Sequence, residues 1–128
     1  MPKKILVVDD DEHVVGFLNV GLSQAGYNVI TAKDGEEGLA SARQNRPDLI
    51  LLDLAMPRMN GYQVCQAVRS DKDLSGTKIV VTSGKNYPVD IKAAKQVGAD
   101  HYLVKPFVLP ELLKILEKLL GASTSSTP

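Results

Sequence analysis

Two adjacent aspartates, Asp9 and Asp10, a third at Asp53, the hydroxyl pair Thr82-Ser83 and the amine of Lys105 are the side chains of this sequence best suited to act together. Each group directly follows a short apolar run: Ile5-Leu-Val-Val8, Leu49-Ile-Leu-Leu52, Ile79-Val-Val81 and Tyr102-Leu-Val104. If those runs are parallel strands of one sheet, their carboxyl ends border the crevice in which open α/β sheets bind ligands. Three carboxylates brought within a few ångströms repel one another, and at least one keeps its proton unless a hard cation sits among them. Mg²⁺ meets that need, because it takes oxygen ligands in octahedral geometry, retains waters and is held by carboxylates together with phosphate oxygens. A carboxylate beside Mg²⁺ can attack phosphorus, and the charge that builds on the phosphoryl oxygens calls for the metal, a lysine and hydrogen-bond donors. Asp53, Lys105, Thr82 and nearby backbone N–H groups match those parts. Taken singly, an aspartate after a strand is more often a turn former or a helix cap. The conjunction across several strand ends is what points to a site.

The elements that must position these groups alternate between short apolar runs and segments of helical period, which argues for a parallel sheet with helices on both faces. Val14, Val15, Leu18 and Leu22 keep helical spacing until Gly26, and Asn28 to Ala32 reads as a second strand. A second helix runs from Gly35 to Asn45, ahead of Pro47. Leu49 to Leu52 is apolar without alternation, as in a central strand buried on both faces, and it ends on Asp53. A third helix spans Gly61 to Ser70, and Ser75-Gly76 marks the turn before the fourth strand. Pro88 opens a fourth helix that Gly98 closes, and Pro110 lies in the first turn of a fifth. Residues 1–121 form one domain, whereas Ala122 to Pro128 is small and polar and reads as a disordered tail or linker stump.

With 15 basic and 15 acidic residues among 128, the chain has no net charge to concentrate nucleic acid or an anionic membrane. No window approaches the roughly 20 apolar residues that span a bilayer. The single Cys65 cannot form an internal disulfide and reads as a small buried hydrophobe, in keeping with a cytoplasmic protein.

Four segments together resemble the receiver domains of two-component response regulators, over about Lys3 to Leu120. They are Ile5-Leu-Val-Val-Asp9-Asp10, Leu51-Leu-Asp53-Leu-Ala-Met-Pro57-Arg-Met-Asn-Gly61, Val81-Thr82-Ser83 and Tyr102-Leu-Val-Lys105-Pro106-Phe107. The resemblance implies a doubly wound, flavodoxin-like α/β fold of five parallel strands in the order 2-1-3-4-5, flanked by five helices. It implies that Asp53 accepts a phosphoryl group from a histidine kinase or histidine phosphotransfer protein. Asp10, Asp53 and the Ala55 carbonyl would bind Mg²⁺, with Asp9 acting largely through a metal-bound water. Thr82 would hydrogen-bond the phosphoryl oxygens, the backbone of Leu54, Ala55 and Ser83 would contact them, and Lys105 would pair with them. Tyr102 would change rotamer as Thr82 moves, Lys105-Pro106 would be cis, and Gly61 would let the acceptor loop turn back into the third helix. The face formed by the fourth helix, fifth strand and fifth helix would meet a downstream protein or a second copy. The chain would thus be a self-modifying switch with slow self-hydrolysis, not a turnover enzyme.

Two places depart from the family pattern. The loop Gly84 to Asp90 is slightly long, and Val108-Leu109 stands where the last helix usually has a polar cap. Asp11 reads as an N-cap or first-turn acid, not a third ligand. A phosphohydrolase of the haloacid dehalogenase type is a rival, but it resembles Asp-x-Asp at the nucleophile, and here the second position is Ala55. A docking module that never takes phosphate is a second rival. His13 and His101 lack partners at metal-ligand spacing and are expected to be solvated, and Met56 and Met59 to pack around the acceptor loop. The broad apolar stripe of the fifth helix, Leu109 to Leu120, reads as core with an edge left over for docking.

Overall fold

The structure, a computed structural model, describes residues 2–85 and 87–121. The expected tail at residues 122–128 lies outside them. The apolar runs become five parallel strands, β1 (Lys4–Val8), β2 (Asn28–Ala32), β3 (Leu49–Asp53), β4 (Lys78–Ser83) and β5 (His101–Val104), in the order β2-β1-β3-β4-β5. Five helices connect and follow them: α1 (Glu12–Gln24), α2 (Gly35–Asn45), α3 (Gly61–Ser70), α4 (Pro88–Gln96) and α5 (Leu109–Leu120). A short 3₁₀ turn at Lys72–Leu74, which the sequence did not announce, precedes β4 and buries Leu74 completely.

Alternation along the strands divides the core between the two faces of the sheet. Leu6, Val8, Ile50, Leu52, Ile79 and Val81 pack against Leu39 and Ala42 of α2, Val64, Cys65 and Val68 of α3, and Ala94 of α4. Ile5, Val7, Leu49, Leu51, Val80 and Leu103 pack against Leu18 and Leu22 of α1 and Leu112 and Leu116 of α5. The apolar stripe of α5 thus enters the core through Leu112 and Leu116, with Leu109, Leu113, Ile115, Leu119 and Leu120 packed against it and partly exposed. Val108, which caps α5, is exposed and makes no side-chain cap bond. Cys65 is fully buried, and its Sγ donates to the Val97 carbonyl at 3.2 Å. Burial pushes its thiol up to about 11, leaving almost no thiolate at neutral pH.

The amino ends of β4 and β5 are clasped by Arg69. Its guanidinium donates to the carbonyls of Gly98 (2.9 Å) and Thr77 (2.6 Å) and to Asp100 Oδ2 (2.7 Å). His101 is half-buried, contrary to the expectation of a solvated ring. Burial, with Lys118 and Lys95 nearby, holds its imidazole below the usual range.

Tyr27 is 5% exposed, and among the described residues its hydroxyl is the one buried side-chain polar atom without a hydrogen-bond partner. An unpaired buried hydroxyl keeps its desolvation cost and gains nothing in return, so Tyr27→Phe should raise the unfolding free energy by about 1 kcal/mol. Urea titration checks this; a lower midpoint would show that the hydroxyl has a partner in solution.

Candidate phosphoacceptor site

The strand ends deliver the chemical groups to one place. Asp9 directly follows β1, its N–H bonded to the Ala32 carbonyl at the end of β2 (3.1 Å), and it is 3% exposed. Asp9 Oδ1 accepts the N–H of Asp11 at 2.9 Å, while Asp11 caps α1 by accepting from the His13 and Val14 N–H groups. Asp11 is thereby occupied as a cap, and Asp10 is left exposed beside the crevice. Asp53 ends β3 directly opposite Thr82 of β4, and both are buried. The Ala55 N–H donates to Asp53 Oδ1 at 3.2 Å. Lys105, placed after β5 with its N–H on the Ser83 carbonyl (2.7 Å), sends Nζ to Asp9 Oδ2 (2.9 Å) and to within 3.5 Å of Asp53 Oδ1. The Lys105-Pro106 bond is cis.

Electrostatics make this a strained cluster of charge. Burial, reinforced by the charges of Asp9 and Asp10, pushes Asp53 up to about 6 against the opposing pull of Lys105 and the Ala55 N–H. For Lys105 burial acts downward, but its bond to Asp9 and the charges of Asp53 and Asp9 outweigh it, so its amine lies above the ordinary lysine value. One oxygen from each of Asp9, Asp10 and Asp53 lies within 4.8 Å of the others, a spread comparable to the about 4 Å between opposite oxygens around Mg²⁺. The donors are all carboxylates, three against one lysine, so the cluster fits a hard divalent cation and lacks the soft or imidazole ligands favoured by zinc or copper.

Several groups around the site already hold protein partners. The Leu54 N–H, expected among the phosphate contacts, donates to the Thr82 carbonyl at 3.0 Å and is not free for a ligand in this arrangement, because the β3–β4 pairing extends one bond beyond Asp53. Ser83 is buried, with Oγ accepting the Lys85 N–H at 3.1 Å. Tyr102 pairs with Val81, the residue before Thr82, packs on the α3 and α4 side, and donates its hydroxyl to the Lys85 carbonyl at 2.7 Å. Gly61 does not need a left-handed φ. A Cβ there would stand 2.6 Å from the Asp53 carbonyl oxygen, so its role is close approach. Met56 is buried and Met59 partly buried around the loop, as expected.

Two features had no clear sequence signal. The Asp9–Lys105 pair joins residues distant in the chain, and Arg58 holds a left-handed φ of 64° while its guanidinium reaches Asp34 Oδ2 at 3.4 Å.

Comparison with known proteins agrees with this geometry. The family model for the response regulator receiver domain matches residues 5–117. The alkaline phosphatase synthesis transcriptional regulatory protein PhoP of Bacillus subtilis is 40% identical, over 100% of this chain and 52% of its own length. The chain therefore spans about half the length of the curated relatives it matches. The chemotaxis protein CheY4 of Vibrio cholerae superposes with a TM-score of 0.90 at 38% identity, covering 94% of this chain and 100% of that one. The receiver domain of sensor histidine kinase PA1611 from Pseudomonas aeruginosa, solved with a magnesium ion coordinated in its active site cleft, gives 0.87 at 29% identity over 95% and 100% of the two chains. Among the described residues no helix is long and apolar enough to cross a membrane. With its 2-1-3-4-5 sheet and acids gathered at the strand ends, the chain belongs to the response regulator receiver domain family.

Proposed function

We propose that this receiver domain takes a phosphoryl group onto Asp53 from a phosphohistidine of a histidine kinase or phosphotransfer protein, and that the new charge resets its α4–β5–α5 face. The observation that carries this is the buried Asp53 carboxylate, gathered with Asp9 and Asp10 and held 3.5 Å from the Lys105 amine that also bonds Asp9.

An Asp53 oxygen attacks phosphorus, the P–O bond forms as the P–N bond to the donor imidazole breaks, and the imidazole departs with a proton from solvent. Lys105 exchanges its contacts with Asp9 and Asp53 for a phosphoryl oxygen, and the Thr82 hydroxyl and the Ala55 and Ser83 N–H groups supply further donors. Asp9, Asp10, Asp53 and the Ala55 carbonyl would hold Mg²⁺, which neutralises charge on the oxygens when bound. With Ala55 where a second acid would stand in a phosphohydrolase, no side chain there activates water, and hydrolysis of the acyl phosphate is slow. The domain catalyses its own modification and then waits.

Phosphate adds about −1.5 to −2 charges at the strand ends. Thr82 moving toward it draws Tyr102 away from the Lys85 carbonyl, which loosens the start of α4, where Tyr87 provides no side-chain cap. The released face meets a downstream protein or a second copy. Relatives include transcriptional and DNA-binding regulators, so an output segment outside this domain is a fitting target, while the domain itself, with no net charge, does not contact nucleic acid. The protein works in the cytoplasm, where kinase and phosphoryl donors are found.

Fluoroberyllate with Mg²⁺, a stand-in for the phosphoryl group, should shift amide resonances around Tyr102 and α5 as well as around Asp53. Tyr102→Ala should abolish the distant shifts and keep the local ones. Shifts confined to the acceptor loop in the wild-type chain would reject this route of signalling.

A further inference from the structure

The acceptor loop, residues 54–60, is approached by bare backbone at two glycines. Gly61 meets the Asp53 carbonyl, as described. Four residues after Ala55, Met59 is faced by Gly35, the first residue of α2: a Cβ there would overlap the Met59 carbonyl oxygen and lie 2.9 Å from Met59 Cβ. Gly35 is not among the residues with positive φ, so close approach and not backbone conformation requires glycine. A second contact holds the same seam. Arg58, strained at a φ of 64°, reaches Asp34 Oδ2 at 3.4 Å and Glu36 Oε1 at 3.9 Å. Asp34 is itself fixed as the cap of α2, with Oδ1 accepting the Glu37 N–H at 2.8 Å. Just before it, the Ala32 carbonyl accepts the Asp9 N–H at 3.1 Å. One short segment, Ala32 to Gly35, thus touches Asp9 at one end and the acceptor loop at the other.

We infer that Gly35 is a positioning residue for Mg²⁺: its missing side chain lets the Met59 carbonyl seat on α2, which fixes the height of the Ala55 carbonyl relative to Asp53, Asp9 and Asp10. This rests on the proposed role of those groups as the metal's donors. Mg²⁺ demands near-ideal octahedral geometry at short distances, so a small outward shift of one donor is costly. A methyl group at position 35 forces such a shift, because a backbone carbonyl, unlike a flexible side chain, cannot turn aside.

The test is a Mg²⁺ titration of the purified chain followed by amide resonances, with thermal unfolding recorded alongside. Gly35→Ala should bind Mg²⁺ about ten-fold more weakly than wild type, the low end for disturbing groups behind metal ligands. In the metal-free variant the amides of residues 55–59 should already be displaced. Gly98→Ala is the control. It is strained by a φ of 103° and by Arg69 Cγ at 2.6 Å, so it should lower the melting temperature, but it lies at the far end of the sheet and should leave Mg²⁺ affinity unchanged. Affinity of Gly35→Ala within two-fold of wild type, or weakened no more than that of Gly98→Ala, overturns the inference. If Gly35→Ala does not fold, Arg58→Lys carries the test by keeping the charge and losing the guanidinium fork. Binding weakened by more than two-fold supports the seat, and binding within two-fold of wild type overturns it. A wild-type chain without Mg²⁺-dependent shifts at Asp53 and Ala55 removes the metal assignment and the seat with it, an outcome distinct from normal wild-type binding that Gly35→Ala leaves unaltered.

Discussion

Asp53→Asn is expected to take up no phosphoryl label from acetyl phosphate and Mg²⁺ under conditions that label the wild-type chain, because an amide offers no nucleophilic oxygen anion. The same substitution should stabilise the metal-free protein at neutral pH. Asp53 has its pKa raised from 3.8 in the reference state to about 6 in the fold, so the native state binds the proton more tightly than the unfolded chain. Its contribution to stability is then fully present below about pH 4, falls as pH rises through about 6, and is missing at pH 7. By linkage the loss reaches up to about 3 kcal/mol, and the gain from the amide is smaller because it also forgoes the charge of Lys105. Urea unfolding in EDTA at pH 5 and pH 7.5 measures it. The wild-type chain should lose stability relative to Asp53→Asn between those two values. A variant that still labels fully would remove Asp53 as acceptor, and parallel pH profiles would mean that its carboxylate is better neutralised than the geometry indicates.

Lys105→Ala should be the most damaging single change at the site in the absence of metal. Asp9 is 3% exposed and would lose its partner at 2.9 Å, while Asp53 would lose the cation 3.5 Å away. Breaking a wholly buried pair costs about 3–5 kcal/mol, and Lys105 is partly exposed, so about 2 kcal/mol is expected at pH 7. Asp53 should then titrate above about 6. The Lys105 amine itself, raised above 10.5, contributes stability that is present below that pH and lost as pH rises through its folded value. Added Mg²⁺ should recover much of the deficit, because a dication bound only by the folded state supplies the missing countercharge. Melting curves with and without Mg²⁺ check both halves; a variant as stable as wild type in EDTA would show that water already screens Asp9.

The helices and strands were legible wherever period and punctuation coincided. Pro47 follows the end of α2, and the unbroken apolar run Leu49 to Leu52 matches a strand covered on both faces. The turn at Lys72–Leu74 escaped because a lone Leu74 among polar residues carries no period, although its burial is complete. At the site, residue types were readable because acids, hydroxyl and amine each follow an apolar run. Their mutual bonds were not. The Leu54 N–H is diverted by sheet pairing, the Tyr102 hydroxyl is held by the Lys85 carbonyl, and the contact between Gly35 and Met59 depends on tertiary packing that no local pattern encodes.

Cys65, the single cysteine of the chain, is sealed in the core with its Sγ on the Val97 carbonyl. A maleimide dye added to the native protein has no accessible thiolate to attack. A cysteine introduced at an exposed position such as Val89, which is 72% exposed on α4, would therefore be labelled selectively without first removing Cys65. The chain also has no tryptophan to quench or overlap such a dye, so fluorescence from that one site can follow α4 in real time in the otherwise unaltered protein.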